Sequence, residues 1–215
     1  MTLIEPVTLR GSLVTLEPLT HEHHDELVEA VRDGEVWNLW YTVVPTPEKM
    51  RAEIGRRLAE QTAGTMLPFV SRRNSDGLVL GMTTYMAIDA SLPRVEIGST
   101  WNRASASGTG SNVDAKLLLL THAFEVLGCP AVEFRTHWMN AQSRAAIERL
   151  GAKLDGVLRS HTRMANGSLR DTCVYSIIAS EWSQVRSGLE HRLAKHQRAA
   201  VHLAPGSVAP HDQQA

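Results

Sequence analysis

The residues most able to do chemistry lie between Trp101 and Leu120, where a glycine-containing loop runs into an apolar helix. The tripeptide Gly108-Thr109-Gly110 precedes a helix that opens near Asn112. The first amide groups of a helix have no acceptor within it, and they lie at the positive end of its dipole. This arrangement predicts an anion site, most easily for a phosphate or pyrophosphate. Gly-x-Gly sequences also form plain turns, so the loop alone leaves both interpretations open.

A second candidate is Glu96, which lies between Val95 and Ile97 in a segment predicted to form a strand. Successive strand residues point to opposite faces of a sheet, so Glu96 faces away from these apolar neighbours. Partial burial raises the pKa of a carboxyl group and suits it to act as a general base. The alternative is a solvated strand residue or one paired with Arg94 or Arg135.

Three aromatic residues, Trp37, Trp40 and Tyr41, lie in the connection between the first two predicted helices. Aromatic side chains there can line a pocket for a small ligand, or they can form a satellite core under a long loop. Arg135 and His137, on a later predicted strand, can line the same pocket, although charged strand residues are usually solvated.

No metal site is predicted from the sequence. The run His21-Glu22-His23-His24 lies at a helix start, where successive side chains point in different directions, and no further ligand set accompanies it. Cys129 and Cys173 lie in predicted strands or element ends, without metal-ligand spacing. Two such cysteines do not suggest a disulfide framework, which favours a reducing, cytoplasmic location.

The composition is that of an ordinary soluble domain: 215 residues, 43% hydrophobic and 21% charged. Its 22 basic and 23 acidic residues give a net charge of -1, which favours neither nucleic acid nor a membrane surface as a partner. No apolar run approaches the ~20 residues that span a bilayer. The N-terminal segment lacks the basic start and apolar stretch of a signal peptide.

Periodicity predicts the element order β-α-α-β-β-β-α-β-α-β-β and therefore an α/β fold, with a mixed sheet and helices on both faces. The predicted strands cover 13–16, 66–72, 78–88, 94–101, 131–137, 157–164 and 172–178, and the predicted helices 20–32, a segment from 47, 113–127 and 141–150. One domain over 1–182 is expected, followed by a basic amphipathic helix at 183–198 and a disordered tail at 199–215.

Several of these segments together resemble the GNAT acyltransferase superfamily, specifically the RimJ/RimL-like branch that acetylates N-terminal amino groups. The resemblance covers about residues 9–182. Its carriers are Glu96-Ile97-Gly98, SGTGSNVDAKLLLLTHAFEVLG, VEFRTHWMNAQSRAAIERLGAKLDGVLRSH and NGSLRDTCVYSIIASEW. The most specific piece is Asn140-x-x-Ser143 followed by AIERLGA. The resemblance implies a splayed central mixed sheet, with acetyl-CoA lying in the split and its pyrophosphate on the glycine loop.

The resemblance also implies which residues contact the cofactor. These are Ser99, Thr100, Trp101, Ser107, Gly108, Thr109, Gly110, Ser111, Asn112, Asn140 and Arg144. Backbone amides around 99–101 would stabilise the oxyanion. One departure from the family pattern is Ser105, which lies three residues before the first glycine, where Gln or Arg is usual.

Two catalytic residues are expected. Ser143 matches the position that the RimL-like branch proposes as the general acid towards the coenzyme A sulfur, and Glu96 is the candidate general base. The alternative for Ser143 is a first-turn serine that satisfies backbone amides, and Asn140 can be the helix cap as well as a cofactor contact. Direct attack by an amine needs no covalent enzyme intermediate.

The predicted function is transfer of the acetyl group of acetyl-CoA to a primary amine, either a peptide N-terminus or an amino-acid-like molecule, in a ternary complex. The acceptor would lie against Trp37, Trp40, Tyr41, Arg135 and His137. Members of the family often dimerise, so a homodimer is compatible with the resemblance. The alternative function is a non-catalytic acyl-CoA sensor or subunit, for which Ser105 is the one argument.

Overall fold

An eight-stranded mixed sheet organises the part of the chain that the computed structural model describes, residues 5–89 and 91–203, the last five by their backbone alone. The strands are β1 (Leu9–Arg10), β2 (Val14–Pro18), β3 (Met66–Arg73), β4 (Val79–Asp89), β5 (Arg94–Asn102), β6 (Ala131–His137), β7 (Lys153–Arg163) and β8 (Leu169–Ile178). Their order across the sheet is β1-β2-β3-β4-β5-β6-β8-β7. Neighbouring strands are antiparallel except β5 and β6, which are parallel.

Helices cover both faces of the sheet, as the periodicity predicted. They are α1 (His24–Arg32), α2 (Met50–Thr62), α3 (Ser111–Thr121), α4 (Ala141–Leu150) and α5 (Trp182–Leu203). On one face, α1 and α2 pack against Val70, Met82 and Trp101. On the other face, α3 and α5 share an apolar core with residues such as Phe69 and Val132. None of the described helices has both the length and the apolar character that crossing a membrane requires.

Two edge features of the sheet differ from the sequence prediction. β1, which pairs with β2 over two residues, was not predicted, because two residues are too few to show periodicity. β7 begins at Lys153, four residues before the predicted Val157. Its first residues, Lys-Leu-Asp-Gly, have loop-like composition, but they pair with β8, which shows that tertiary pairing overrides local propensity here.

The helix predicted over 113–127 is divided in the structure. α3 ends at Thr121, and a π-helical turn covers His122–Val126 before Gly128, at φ +66°, ends the segment. At the C-terminus, the helix predicted over 183–198 lies within α5, which continues to Leu203. The tail predicted from 199 thus overlaps α5 by five residues, and 204–215 lie outside the described residues.

Asp114, in the first turn of α3, fixes the start of β2. Its Oδ2 atom accepts hydrogen bonds from the Leu13 amide at 2.6 Å and the Val14 amide at 3.0 Å. A Cβ atom on Gly11 would lie 2.5 Å from that same oxygen, so the turn before β2 needs glycine there. The helix start that follows the glycine loop is therefore anchored to the sheet by a buried carboxylate.

Lys116 is buried between α3 and the sheet. Its Nζ atom donates to Thr83 Oγ1 on β4 at 3.1 Å and to Thr100 Oγ1 on β5 at 2.8 Å. Neither partner is a carboxylate. Burial without a counter-ion disfavours the charged form and lowers the pKa of Lys116 to about 7.

This burial makes the stability of the protein depend on pH. Unfolded Lys116 keeps its proton up to its ordinary pKa of 10.5, whereas the folded residue loses it near 7. The unfolded state binds more protons between these values, so the free energy of unfolding rises with pH there, by at most about 1.4 kcal/mol per pH unit. Lys116→Met should remove this contribution in urea titrations at about pH 7, 8 and 9.

Lys153→Met is the matched control, because Lys153 is exposed and paired with Glu181. It should leave the pH dependence of the wild type unchanged. An identical slope in Lys116→Met and the wild type would show that folding does not perturb the Lys116 pKa.

Candidate functional site

The centre of the candidate site is a split between two neighbouring strands. β5 and β6 pair over only three positions, Arg94 with Ala131, Val95 with Val132 and Glu96 with Glu133. Beyond that point β5 continues to Asn102 and β6 to His137, and the two strands do not pair. The backbone groups on their facing edges are therefore available to a ligand. This is the splayed sheet that the family resemblance implied.

A β-bulge deforms β5 at the split. Ser99 has φ +47°, and the register between β4 and β5 shifts between Met82 and Thr84. The buried Arg57 of α2 holds the bulge in place. Its guanidinium donates to the Ser99 carbonyl at 3.2 Å and to Thr84 Oγ1 at 2.7 Å, and it pairs with Glu53. At the bulge, Ser99 and Thr100 have no register partner on β4, whereas Trp101 pairs again with Met82.

The glycine loop leads directly into α3, as predicted. Gly108 and Gly110 have φ values of +75° and +87°, and α3 begins at Ser111. Thr109 closes the loop, since its Oγ1 donates to the Ala106 carbonyl at 2.8 Å and lies 2.9 Å from Ser111 Oγ. The Ser111 amide donates to Thr109 Oγ1 at 3.4 Å, and the first amides of α3 lie at the positive end of the helix dipole, where an anion site can form.

Two further contacts shape this loop. A Cβ atom on Gly110 would lie 2.8 Å from His196 Cβ of α5, so glycine is required by packing as well as by φ. Ser105, the departure from the family pattern, donates a 2.5 Å hydrogen bond to Asp33 Oδ2 at the end of α1. Ser105 thus ties the loop to α1, an anchoring role that the sequence did not reveal.

Glu96 lies at the branch point of the split, on the sheet face opposite Val95 and Ile97, as predicted. Its side chain is buried beside Glu133 and 3.6 Å from Arg135 Nε. Burial, with a smaller contribution from Glu133, raises the pKa of Glu96, and Arg135 opposes this shift. A carboxyl group with a raised pKa beside an open cleft has the properties of a general base.

An aromatic cluster closes one side of the split. Trp40 contacts His137 edge to face with ring centroids 5.3 Å apart, and Tyr41 lies 5.5 Å from Trp40. Trp40 is 53% exposed and His137 only 5%. Two of the three aromatic residues predicted to line a pocket therefore lie together with His137. Trp37 instead packs against the apolar cluster of α1 and α2.

His137 has one occupied and one unoccupied ring nitrogen. Nδ1 accepts a hydrogen bond from the Met139 amide at 3.0 Å, so Nε2 carries the hydrogen in the neutral ring. Nε2 is buried and has no hydrogen-bond partner among the described residues. Burial, together with the charge of Arg170, lowers the pKa of His137 and keeps the ring neutral.

The start of α4 holds the remaining predicted residues. Asn140 caps the helix, since its Oδ1 accepts from the Ser143 amide at 3.0 Å. Ser143 is half-buried in the first turn. Arg144 stacks 4.1 Å from the ring centre of Trp138 and donates to the Tyr175 hydroxyl at 3.2 Å. The guanidinium of Arg144 is thus already engaged by the protein, and Ser143 lies in the first turn of the helix that follows β6.

The C-terminal end of β5 also contains predicted residues. Trp101 contributes its ring to the core with α1 and α2, so only its backbone can line the split. Thr100 is exposed, and its hydroxyl is bonded to Lys116 and Thr83. In the described part of the chain, no group of three or more His, Cys, Asp or Glu side chains could hold a metal ion.

Sequence analysis missed three charged residues of this region: Arg57, Lys116 and Arg170. Arg57 and Lys116 lie within helices and resembled ordinary solvated charges. Arg170 lies on β8 two residues before Thr172, the register partner of His137, and so faces the same side as His137. The strand was predicted to begin only at Thr172, which left Arg170 in a turn.

Comparisons with known proteins agree with this geometry. The family model of the acetyltransferase (GNAT) domain matches residues 14–153. A GCN5-related N-acetyltransferase from Brucella melitensis is 30% identical, with a TM-score of 0.78, covering 98% of this chain and 91% of its own. A T. thermophilus protein described as a candidate acetyltransferase is 34% identical, with a TM-score of 0.77, covering 88% of this chain and 98% of its own.

The fold is also shared with Mycobacterium smegmatis RimJ, solved in complex with CoA-disulfide. That structure is 24% identical, with a TM-score of 0.71, and covers 87% of this chain and 93% of its own. None of the curated proteins matches the chain in sequence. The split sheet, the glycine loop at the start of α3 and the family match together show that this chain is an acetyltransferase of the GNAT family.

Proposed function

We propose that this protein, as a RimJ/RimL-like GNAT enzyme, transfers the acetyl group of acetyl-CoA to the primary amine of a peptide N-terminus or an amino-acid-like molecule. The observation that carries the proposal is the divergence of β5 and β6 directly after Glu96 and Glu133. Two unpaired strand edges begin at this point, beside the buried carboxyl group of Glu96. The glycine loop lies at the end of β5, next to the same cleft.

The chain's own groups fit acetyl-CoA. The loop 107–112 and the first amides of α3 would hold the pyrophosphate, with both glycines at positive φ. The unpaired edges of β5 and β6 would bond the amides of the pantetheine arm. When bound, acetyl-CoA supplies an acyl group activated as a thioester. The proposed site is built mainly from backbone amides, so it needs no side-chain contact from residue 105 to the phosphate. Ser105 can therefore anchor the loop instead.

The residues around the cleft have separate roles in the proposed reaction. Glu96 accepts a proton from the incoming amine, directly or through water, because burial raises its pKa towards the working range. Amides at the Ser99 bulge stabilise the negative charge that develops on the acyl oxygen. Ser143, at the start of α4, hydrogen-bonds the sulfur of the leaving group. The nitrogen attacks directly, with both substrates held together.

The aromatic cluster of Trp40, Tyr41 and His137 forms the acceptor side of this proposed site. Arg135 lies on the same face of β6 and pairs with Glu133 and Glu96. Cys129 and Cys173 are both buried and unpaired, in keeping with the proposed reducing, cytoplasmic setting.

The function can be tested by incubating the purified chain with acetyl-CoA and pooled primary amines, while following release of free thiol. Acceptor-dependent release supports the enzyme. Binding of acetyl-CoA without turnover in any pool would support the sensor that the sequence left as an alternative. Absence of heat with both coenzyme A and acetyl-CoA in calorimetry would exclude both.

Asn112→Asp tests the anion site. Asn112 is exposed in the first turn of α3, so the substitution places a carboxylate near the pyrophosphate with almost no change in shape. Repulsion between the charges should weaken coenzyme A binding about tenfold, as measured by calorimetry. Asn166→Asp is the matched control, since Asn166 lies in the turn between β7 and β8, and its oxygen accepts from the Ser168 amide. Equal affinities in both variants would remove the loop from the site.

Glu96→Gln tests the general base. The acidic limb of the kcat/KM profile should report the raised pKa of Glu96, with activity lost as the pH falls through it, because the base acts deprotonated. Glu96→Gln should lower kcat about 100-fold and abolish this limb.

Substitutions at two residues next to Glu96 should shift the acidic limb of the kcat/KM profile in opposite directions along the pH axis. Glu133→Gln removes a like charge and should lower the pKa of Glu96, whereas Arg135→Met removes an opposing charge and should raise it. A limb that stays fixed in both variants would assign it to another group.

Ser143→Ala tests the proposed hydrogen bond to the leaving group. The Asn140 cap uses the backbone amide of Ser143, which alanine retains, so α4 should keep its stability. We expect kcat to fall about tenfold while the Kd for coenzyme A changes little. Full activity would leave Ser143 as a first-turn residue without a role in transfer.

A further inference from the structure

We infer that the acceptor is an α-amino carboxylate, such as a free amino acid, and that Arg170 binds its carboxylate group. The inference rests on the proposed function and narrows its acceptor from amines in general to one charge pattern. It also assigns a substrate-binding role to a residue for which the family resemblance implies none.

The first evidence is that the guanidinium group of Arg170 has a hydrogen-bond donor without an acceptor. On this face of the sheet, Arg94 pairs with Glu133, and Arg135 pairs with Glu133 at 2.9 Å and approaches Glu96. The Nε atoms of Arg94 and Arg170 are both buried without a hydrogen-bond partner among the described residues. Arg94 nevertheless has a carboxylate partner in Glu133, whereas Arg170 forms no ion pair within the described part of the chain. Arg170 as a whole is half-buried, but a buried donor atom of a cationic group is costly to leave unpaired, and an anionic ligand would complete it.

The second evidence is where Arg170 lies. Thr172, Val174 and Ser176 of β8 are the register partners of His137, Arg135 and Glu133 on β6. Alternation along β8 puts Arg170 on that same face, two residues before Thr172 and therefore just past the level of His137 at the end of β6. The positive charge of Arg170 acts to lower the pKa of both Glu96 and His137.

His137 supplies a second unused donor at this position. Its Nε2 is buried without a partner in the described part of the chain, while Nδ1 is fixed by the Met139 amide. A guanidinium Nε and an imidazole Nε2, both donors without an acceptor, match the two oxygens of a carboxylate. The rings of Trp40 and Tyr41 shield this group from water on one side.

The charges of the site match a zwitterion. Glu96 and Arg170 interact electrostatically without forming a direct ion pair, so an acidic and a basic group occupy separate positions on this face of the sheet. An α-amino acid presents an ammonium group and a carboxylate separated by one carbon. The ammonium would lie towards Glu96 and the carboxylate towards Arg170 and His137.

Acetyl transfer to this acceptor conserves atoms and charge. The ammonium loses one proton to Glu96, which passes it to solvent. The nitrogen then forms a bond to the acyl carbon as the carbon–sulfur bond breaks, and the second proton lost by nitrogen is taken up by the thiolate. The products are an N-acetyl amino acid, coenzyme A as its thiol and one released proton.

The test compares amino acids with their amides, using thiol release by the full chain with acetyl-CoA. Amidation removes the carboxylate and leaves the amine. It also lowers the amine pKa, so the amide is intrinsically the better nucleophile near neutral pH. We expect kcat/KM to be about 10- to 100-fold higher for the amino acid of the best pair, the range for one charge-assisted hydrogen bond.

Arg170→Gln should remove this preference by lowering kcat/KM for the amino acid while leaving that for its amide unchanged. Arg170→Lys, which keeps the charge without the Nε donor, should retain part of the preference. Arg159→Gln is the matched control, because Arg159 lies on the neighbouring strand, exposed and bound to Asp171, and it should behave as wild type.

A wild-type enzyme that prefers amides or dipeptides, or an Arg170→Gln variant that loses both substrates equally, would overturn the inference. Failure of the proposed function gives a different result, namely no thiol release with any amine. Calorimetry on the complex with coenzyme A then decides the inference separately. Amino-acid binding that Arg170→Gln abolishes would support it, and the absence of such binding would refute it.

Discussion

The short parallel register between β5 and β6 is the constraint on which the rest of the site depends. It ends where Glu96 and Glu133 lie opposite each other, two acidic side chains that only the neighbouring arginines can neutralise. Further along, β5 carries the bulge at Ser99, and no register pairs join it to β6 there. Strand edges without partners must bond to water or to a ligand. The cleft is therefore the gap between β5 and β6 where their pairing ends, and no separate cavity is needed to form it.

Two buried basic residues contact β5 near its bulge from opposite faces of the sheet. From α2, Arg57 donates to the Ser99 carbonyl and balances part of its charge with Glu53. From α3, Lys116 donates to Thr100, and only hydroxyl groups compensate it. Burying such groups costs stability unless they are well paired. The side-chain nitrogens of Arg57 and Lys116 lie beside the segment of β5 where negative charge develops in the proposed reaction. Stabilisation of that charge would explain why the protein buries both groups at a cost in stability.

The parts of the site that are local in sequence were the ones that could be predicted. Gly108-Thr109-Gly110 and the cap at Asn140 depend on residues within one turn, and the structure confirms both local geometries. The face of Glu96 followed from strand alternation alone. Trp37 could not be distinguished from Trp40, because aromatic composition does not show which ring the core will cover. The roles of these residues in binding and catalysis remain predictions.

The acceptor side could not be predicted in the same way, because it is assembled from distant segments. Trp40 comes from the connection before α2, Glu96 from β5, His137 from β6 and Arg170 from β8, and only the sheet order brings the last three together. The proposed pyrophosphate site, by contrast, is one continuous loop and helix. A substitution on β8 can therefore alter acceptor charge preference without touching the loop that would bind the pyrophosphate. Such a division lets one fold keep its acyl donor while its acceptor changes, since function resides in the site and not in the fold.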